Sequence, residues 1–214
     1  NPTGPMHMGN ARGGALGDCL AAVLDMAGYE VEREFYINDA GNQIEKFGLS
    51  LDIRYQQIFK GEDAVELPED SYHGEDIKER AQQFADVYGD EYLDKSEDER
   101  RKALVEFALP KNIENMKANM AKYRIEYKTW FKESILHESG AVKEVIEYLT
   151  NKGLTYEKDG AVWYNNIKVQ TEMLTRQGKT QEEIDKLELK DDVLIRQNGN
   201  PTYFAADIAY HKNK

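Results

Sequence analysis

The residues best suited to chemistry stand at the start of the chain, in Asn-Pro-Thr-Gly-Pro-Met-His-Met-Gly-Asn. Two prolines and two glycines precede a clear helical pattern, and glycine lets backbone approach a ligand closely at Gly4 and Gly9. His7 falls near the N-terminus of that helix, where unpaired amide donors and the helix dipole favour a phosphate. His7 and Asn10 are three apart. At that spacing both side chains can face one phosphate and stabilise the charge that builds on it during in-line displacement. The same residues also describe a glycine-proline turn in which His7 merely caps the helix. Arg12 is in reach of either a phosphate or the edge of a sheet.

A second set lies further along. Tyr203 and Asp207 are four apart in a terminal helical segment, so they share a face. His211 is four residues beyond Asp207 and lines that same face. Glu133 follows the apolar Trp130-Phe131 pair, and a carboxylate just after a strand of this kind points into the cleft at the strand's end. His137 and His73 fall in polar stretches without a partner and read as surface residues. Cys19 lies in an apolar helix and reads as small core packing.

The elements that must position these residues follow from periodicity. Leu16, Leu20, Val23, Leu24 and Ala27 mark a helix over 11–27, stopped by Gly28. Val31, Arg33, Phe35 and Ile37 alternate with Glu32, Glu34 and Tyr36, the period of a strand. The turn Asn38-Asp39-Ala40-Gly41 can cap a helix whose face is Ile44, Phe47, Leu51, Tyr55 and Ile58. Helix, strand, helix is the order of an α/β sheet, and its first strand is expected before Asn1. A loop over 60–72 leads to helices at 74–88 and 97–122, the second expected to break at Pro110. A short strand at 127–131, a helix at 140–152 and a hairpin turning on Asp159-Gly160 follow. Residues 168–190 are polar and helix-prone. A second hairpin is expected around Asn198-Gly199-Asn200, pairing 192–197 with 201–204, and the last ten residues begin a helix.

Composition restricts the partners. The 214 residues carry 40 acidic and 28 basic side chains, a formal charge of −12. That balance argues against a generic nucleic-acid coat. The imbalance is local, however: residues 61–100 hold 15 acids and 4 bases, while 101–132 hold 8 bases and 3 acids. Such a shift marks an insertion or a solvated helical face. Everything outside 61–100 taken together is nearly neutral, with 25 acids and 24 bases, so a nucleic-acid partner is not excluded. No apolar run approaches the ~18 residues of a membrane span, and no secretory leader is visible. A single cysteine excludes an intrachain disulfide and a cysteine-built zinc site, and fits a reducing compartment.

Asn1 to Asp18, NPTGPMHMGNARGGALGD, resembles the signature of class I aminoacyl-tRNA synthetases in the form seen in the arginyl-tRNA synthetase family. EREFYINDAGNQI, WFKES and PTYFAADIAYHK match further stretches of that family in its order, whereas 60–125 and 165–190 match weakly. The resemblance implies an α/β fold with a Rossmann-like parallel sheet and a helical insertion, the catalytic core being incomplete. Its first part would be residues 1–59, the insertion 60–125, and the remainder with the amino-acid pocket 126–214. It also implies ATP and L-arginine as substrates, Mg²⁺ on the nucleotide, tRNA(Arg) as partner, a cytoplasmic location and a monomer. His7, Gly9 and Asn10 would serve ATP. A guanidinium is a planar, permanently charged fork of donors that asks for paired acceptors. The resemblance assigns it Glu133, Tyr203 and Asp207, with Asn1 on the backbone groups of the amino acid. His211 and Arg12 would stand one layer behind.

Two departures stand out. The signature usually ends in His, where this chain has Asn10, which donates through its amide but cannot carry positive charge. No Lys-Met-Ser-Lys-Ser-like loop, anticodon-binding domain or N-terminal tRNA-contacting domain is found. The 214 residues are therefore expected to be a catalytic-domain fragment with little ATP–pyrophosphate exchange alone. Two other readings remain: a nucleotidyltransferase of the same superfamily, and a synthetase-like binding module without catalysis.

Overall fold

The computed structural model describes residues 1–214 throughout. The chain is α/β and divides into two compact units, Asn1–Lys132 and Glu133–Lys214.

The first unit runs α1 (Met8–Met26), β1 (Glu34–Ile37), α2 (Asn42–Lys60), a 3₁₀ turn (Glu62–Ala64), α3 (Glu75–Tyr88), α4 (Glu97–Lys122) and β2 (Thr129–Lys132). Strands β1 and β2 are parallel, in register from Glu34 opposite Thr129 to Ile37 opposite Lys132. Phe35 stacks on Trp130 across the pair with ring centroids 4.7 Å apart, an arrangement that adds about 0.5–1.5 kcal/mol beyond area burial.

The core of this unit is helical. Phe47, Leu51 and Tyr55 of α2 interlock with Ile77, Ala81 and Phe84 of α3 and Leu104 and Ala108 of α4. Their spacing by three and four puts each set on one helix face. Phe84 meets Tyr55, Tyr92 and Phe107 edge-on, at 5.3, 5.1 and 5.4 Å. Each fully buried large apolar side chain contributes about 1.5–3 kcal/mol. A buried ion pair joins α2 to α4: Asp52 accepts from Nε and Nη2 of Arg100, which also donates to the Lys95 carbonyl at 3.0 Å. The Asp52 bonds hold the Arg100 guanidinium above its ordinary pKa, against the opposing effect of its own burial.

Three expectations for this unit change. Pro110 lies inside an uninterrupted α4 rather than breaking it. Proline removes one amide donor, and because Pro110 is exposed, the carbonyl left without that donor can turn to water. The strand expected from the alternation over 31–37 shortens to Glu34–Ile37. Cys19 is exposed, not core. It lies on a helix whose apolar positions Leu16, Leu20 and Val23 are also exposed, Leu16 by 74%.

The second unit runs α5 (Ser134–Glu138), α6 (Ala141–Asn151), β3 (Thr155–Lys158), β4 (Ala161–Tyr164), α7 (Asn166–Arg176), α8 (Gln181–Asp185), β5 (Asp192–Ile195) and α9 (Tyr203–Asn213). Strands β3, β4 and β5 form an antiparallel sheet in that order. The hairpin turns on Asp159 and Gly160, both at positive φ, 53° and 73°, as a two-residue primed turn requires. The expected second hairpin is reduced to a single bridge, Ile195 to Pro201. Thr202 caps α9 instead, its Oγ1 accepting from the Ala205 amide, so Tyr203 and Phe204 are helical rather than extended. Helices α5 and α6 both pack on α9.

Candidate functional site

The signature loop ends in a reciprocal cap. His7 Nδ1 accepts from the Gly9 amide at 3.0 Å, and Asn10 Oδ1 accepts from the His7 amide at 3.3 Å. Both side chains therefore do the capping that one reading of the sequence allowed. That role also sets their chemistry. An imidazole whose Nδ1 accepts must, when neutral, carry its proton on Nε2, and an amide whose oxygen is occupied presents its two N–H groups. Both residues are exposed, so the cap leaves two side-chain donors at the helix N-terminus.

Gly9 leaves room for the capping ring. A Cβ there would come within 2.9 Å of His7 Cε1 and 3.1 Å of Nδ1, so any larger residue displaces the ring.

Two cavities flank the loop. One of about 200 Å³ is lined by Met6, His7, Met8, Ala11, Asn119, Met120 and Tyr123. The other, about 290 Å³, is lined by Gly4, Met6, Arg80, Asn112, Asn119 and Lys122 among others. A third cavity of about 340 Å³ is lined by Arg54, Gln57, Ile58, Lys78 and Gln82 among others. Of the three, only the cavity of about 200 Å³ is lined by a candidate side chain, His7, so the chemistry favours that one, with the 290 Å³ cavity beside the same loop at Gly4 and Met6. Arg12 is exposed on α1.

The candidate arginine ligands fall in both units, with all three guanidinium candidates in the second. Asn1 is in the first, and Glu133, Tyr203 and Asp207 are in the second. Glu133 follows β2 directly, stands at the N-cap of α5 and is only 3% exposed. Tyr203 and Asp207 open the first two turns of α9 and are exposed. Within the second unit, then, Glu133 starts a helix that packs on the helix carrying Tyr203 and Asp207.

Two histidines differ from the sequence reading in detail. His211 shares the Asp207 face, but its Nδ1 lies 2.8 Å from the Asp207 carbonyl oxygen rather than the carboxylate. His137, read as partnerless, has Nε2 3.6 Å from Glu133 Oε1. Their separation of four was visible in the sequence, but the short helix α5 that turns it into proximity was not. His73 is on the surface, with Nε2 3.0 Å from the Pro68 carbonyl.

Part of the basic stretch 101–132 is engaged locally. Lys111 lies over the Phe107 ring at 4.5 Å, and Lys117 pairs with Glu114 at 2.9 Å.

With this geometry in place, the comparison with known proteins is direct. The family model described as "tRNA synthetases class I (R), catalytic domain" matches residues 1–214. This chain belongs to that family. An arginine–tRNA ligase of Caldanaerobacter subterraneus is 59% identical over 214 residues, covering 100% of this chain and 35% of that protein. The arginine–tRNA ligase of Acetivibrio thermocellus is 55% identical with the same coverage. A solved structure named for arginyl-tRNA synthetase from Campylobacter jejuni superposes with a TM-score of 0.78 at 33% identity, over 100% of this chain and 42% of that one. The Thermus thermophilus arginyl-tRNA synthetase has a TM-score of 0.59 at 24% identity, covering 99% of this chain and 34% of its own, and shows likeness of fold. This chain thus spans about a third of the length of its curated class I relatives, 35%. The α/β class I catalytic fold expected from the sequence is the fold found.

Proposed function

We propose that the chain is the catalytic region of an arginine–tRNA ligase, which activates arginine with ATP and passes the arginyl group to tRNA(Arg). The observation that carries this reading is the donor pair of His7 and Asn10, set by their reciprocal cap at a helix N-terminus, in a chain matched along its whole length by the arginine-type class I family.

The chemistry follows from those groups. The arginine carboxylate attacks the α-phosphorus of ATP. A P–O bond forms, the bond to the bridging oxygen breaks, and pyrophosphate leaves with that electron pair. A ribose hydroxyl at the tRNA terminus then attacks the carbonyl carbon of the adenylate and AMP departs. No covalent enzyme intermediate is needed, so catalysis rests on positioning and charge stabilisation. His7 Nε2–H, the Asn10 amide and the open N–H groups of α1 meet the phosphate oxygens as charge moves onto them. Without a Cβ, Gly9 lets the His7 ring keep its capping position.

Glu133, Tyr203 and Asp207 are assigned to the guanidinium and Asn1 to the amino acid's backbone groups. His211 stands behind Asp207 on the same helix, and Arg12 behind the phosphate donors of α1. Burial supports Glu133 in this role, because a dry carboxylate discriminates strongly for a charged fork of donors. No cluster of three or more His, Cys, Asp or Glu side chains is arranged to hold a metal. Mg²⁺ fits here as a companion of the nucleotide, bound mainly by phosphate oxygens. The acidic-then-basic helical stretch 60–125 is read as an insertion in the catalytic core. No helix is long and apolar enough to cross a membrane. From the family resemblance alone we propose a cytoplasmic monomer.

The test is amino-acid-dependent ATP–pyrophosphate exchange by the full-length protein with tRNA present. Exchange supported by arginine alone among the standard amino acids is expected. Exchange driven by another amino acid, or adenylyl transfer to a small phosphorylated acceptor, would overturn the reading.

A further inference from the structure

The start of the signature loop is gripped by helices that contain none of the candidate site residues. Pro2 is almost wholly buried, and its carbonyl accepts from Nδ2 of Asn112 at 3.0 Å. Asn112 stands in the middle of α4 and is 7% exposed. Its other end is also fixed: Oδ1 accepts from Nε of Arg80, on α3, at 2.8 Å. Arg80 in turn donates from Nη1 to Gln83 at 2.8 Å. Two residues further along the loop, a Cβ at Gly4 would approach Asp76 Oδ2, also on α3, to 3.2 Å. The loop therefore leaves Pro2 and Gly4 against α3 and α4 and reaches His7 within three more residues.

From this geometry we infer that Asn112 is a positioning residue for the phosphate-binding loop, with Arg80 as the group that fixes its amide. A primary amide can sit either way round. With the guanidinium on Oδ1, only one orientation satisfies both ends, and that orientation aims Nδ2 at the Pro2 carbonyl. The helical stretch 60–125 thereby sets the height of the loop from which His7 and Asn10 meet the nucleotide. The inference rests on the functional reading above for its kinetic consequence, but not for its structural one.

The informative substitution is Asn112→Asp in the full-length protein. It keeps size and keeps an acceptor for Arg80, so the helices stay joined, but it replaces the donor facing the Pro2 carbonyl with an acceptor. Two readouts are needed. Hydrogen exchange across residues 1–12 is expected to accelerate while the α2–α3 core keeps its protection. In ATP–pyrophosphate exchange, KM for ATP is expected to rise about tenfold at unchanged KM for arginine, within the ~10²-fold that a misplacement near 1 Å can cost. A variant that was merely part-unfolded would lower kcat and leave both KM values alone. Arg80→Met, which frees the amide to turn but keeps the donor, is expected to show the same pattern more weakly. Unaltered loop exchange, or unaltered KM for ATP in an active enzyme, would overturn the inference. A wild-type protein without arginine-dependent exchange would instead overturn the functional reading, leaving the hydrogen-exchange result to decide the loop.

Discussion

Helices α1 and α2 are equally long, 19 residues each, and are used in opposite ways. Helix α2 buries eight residues, among them Phe47, Leu51, Asp52 and Tyr55, whereas α1 buries only Ala11 and Ala21. Helix α2 is held along its flank and builds the core. Helix α1 is capped at its start by His7 and Asn10 and tied at mid-length by the salt bridge of Asp18 to Arg33 at 2.9 Å, and what it offers is its N-terminus. One helix contributes surface and the other contributes an end, so mutations in them should fail in different assays.

The largest effect is expected on the α2 side. Asp52→Ala leaves the Arg100 guanidinium buried without its carboxylate, and removing one member of a buried pair costs about 3–5 kcal/mol. Urea unfolding of the 214-residue chain measures it, and a loss below 1 kcal/mol would show that α2 is not braced through this pair. Next comes His7→Ala on α1. Loss of one positioned donor to developing charge costs about 10²–10³-fold in turnover, read in aminoacylation by the full-length enzyme. Unfolding free energy should meanwhile fall by only about 1 kcal/mol, as for an N-cap. If stability fell as far as activity, α1 would be a core helix after all.

A smaller effect tests how α4 begins. Ser96 Oγ accepts from the Glu99 amide at 3.3 Å while Glu99 reaches back to Ser96, and Ser96→Ala should cost about 1 kcal/mol. The Ser96 hydroxyl and amide hold the Glu99 carboxylate below its usual range. A depressed folded-state pKa stabilises above the unfolded value and is lost as pH falls through the folded one. The wild-type and Ser96→Ala stabilities should therefore converge on acidification, and a gap that widened instead would remove Glu99 from the cap. The smallest effect is Leu20→Ala on the open face of α1, expected within about 0.5 kcal/mol in this chain, as for exposed sites generally. The same substitution made in the full-length protein sharpens the comparison: a cost of about 2 kcal/mol or more there would mean that this face is covered.

The sequence carried what is local. Helical period found α1 to α4 and α6, and Asp159-Gly160 announced its hairpin, because these follow from a few neighbouring residues. The same period showed that α1 has an apolar face but not whether anything lies on it, and so Cys19 was placed in a core it does not enter. Pro110 was expected to break α4, but the flanking helix packs through Leu104, Ala108, Ile113 and Met116, and tertiary burial outweighed one lost donor. Tyr203 and Phe204 look extended in the sequence because Asn198-Gly199-Asn200 reads as a hairpin turn. The hydroxyl of Thr202 starts a helix there. The signature residues were legible by type and spacing. The link from Arg80 through Asn112 to Pro2 was not, since its parts are 110 residues apart along the chain and no pattern in either segment points to the other.

The pairing of β1 with β2 has a consequence in time. Thr129 Oγ1 meets Glu32 across 97 residues of chain, and closing so long a loop before anything else has formed carries its full entropic cost. If the packed helices α2, α3 and α4 collapse first, the strands are delivered to each other by a body already folded and the remaining search is short. The parallel pair would then be a late event in folding, with the same helices that later steady the phosphate loop having first brought the sheet together.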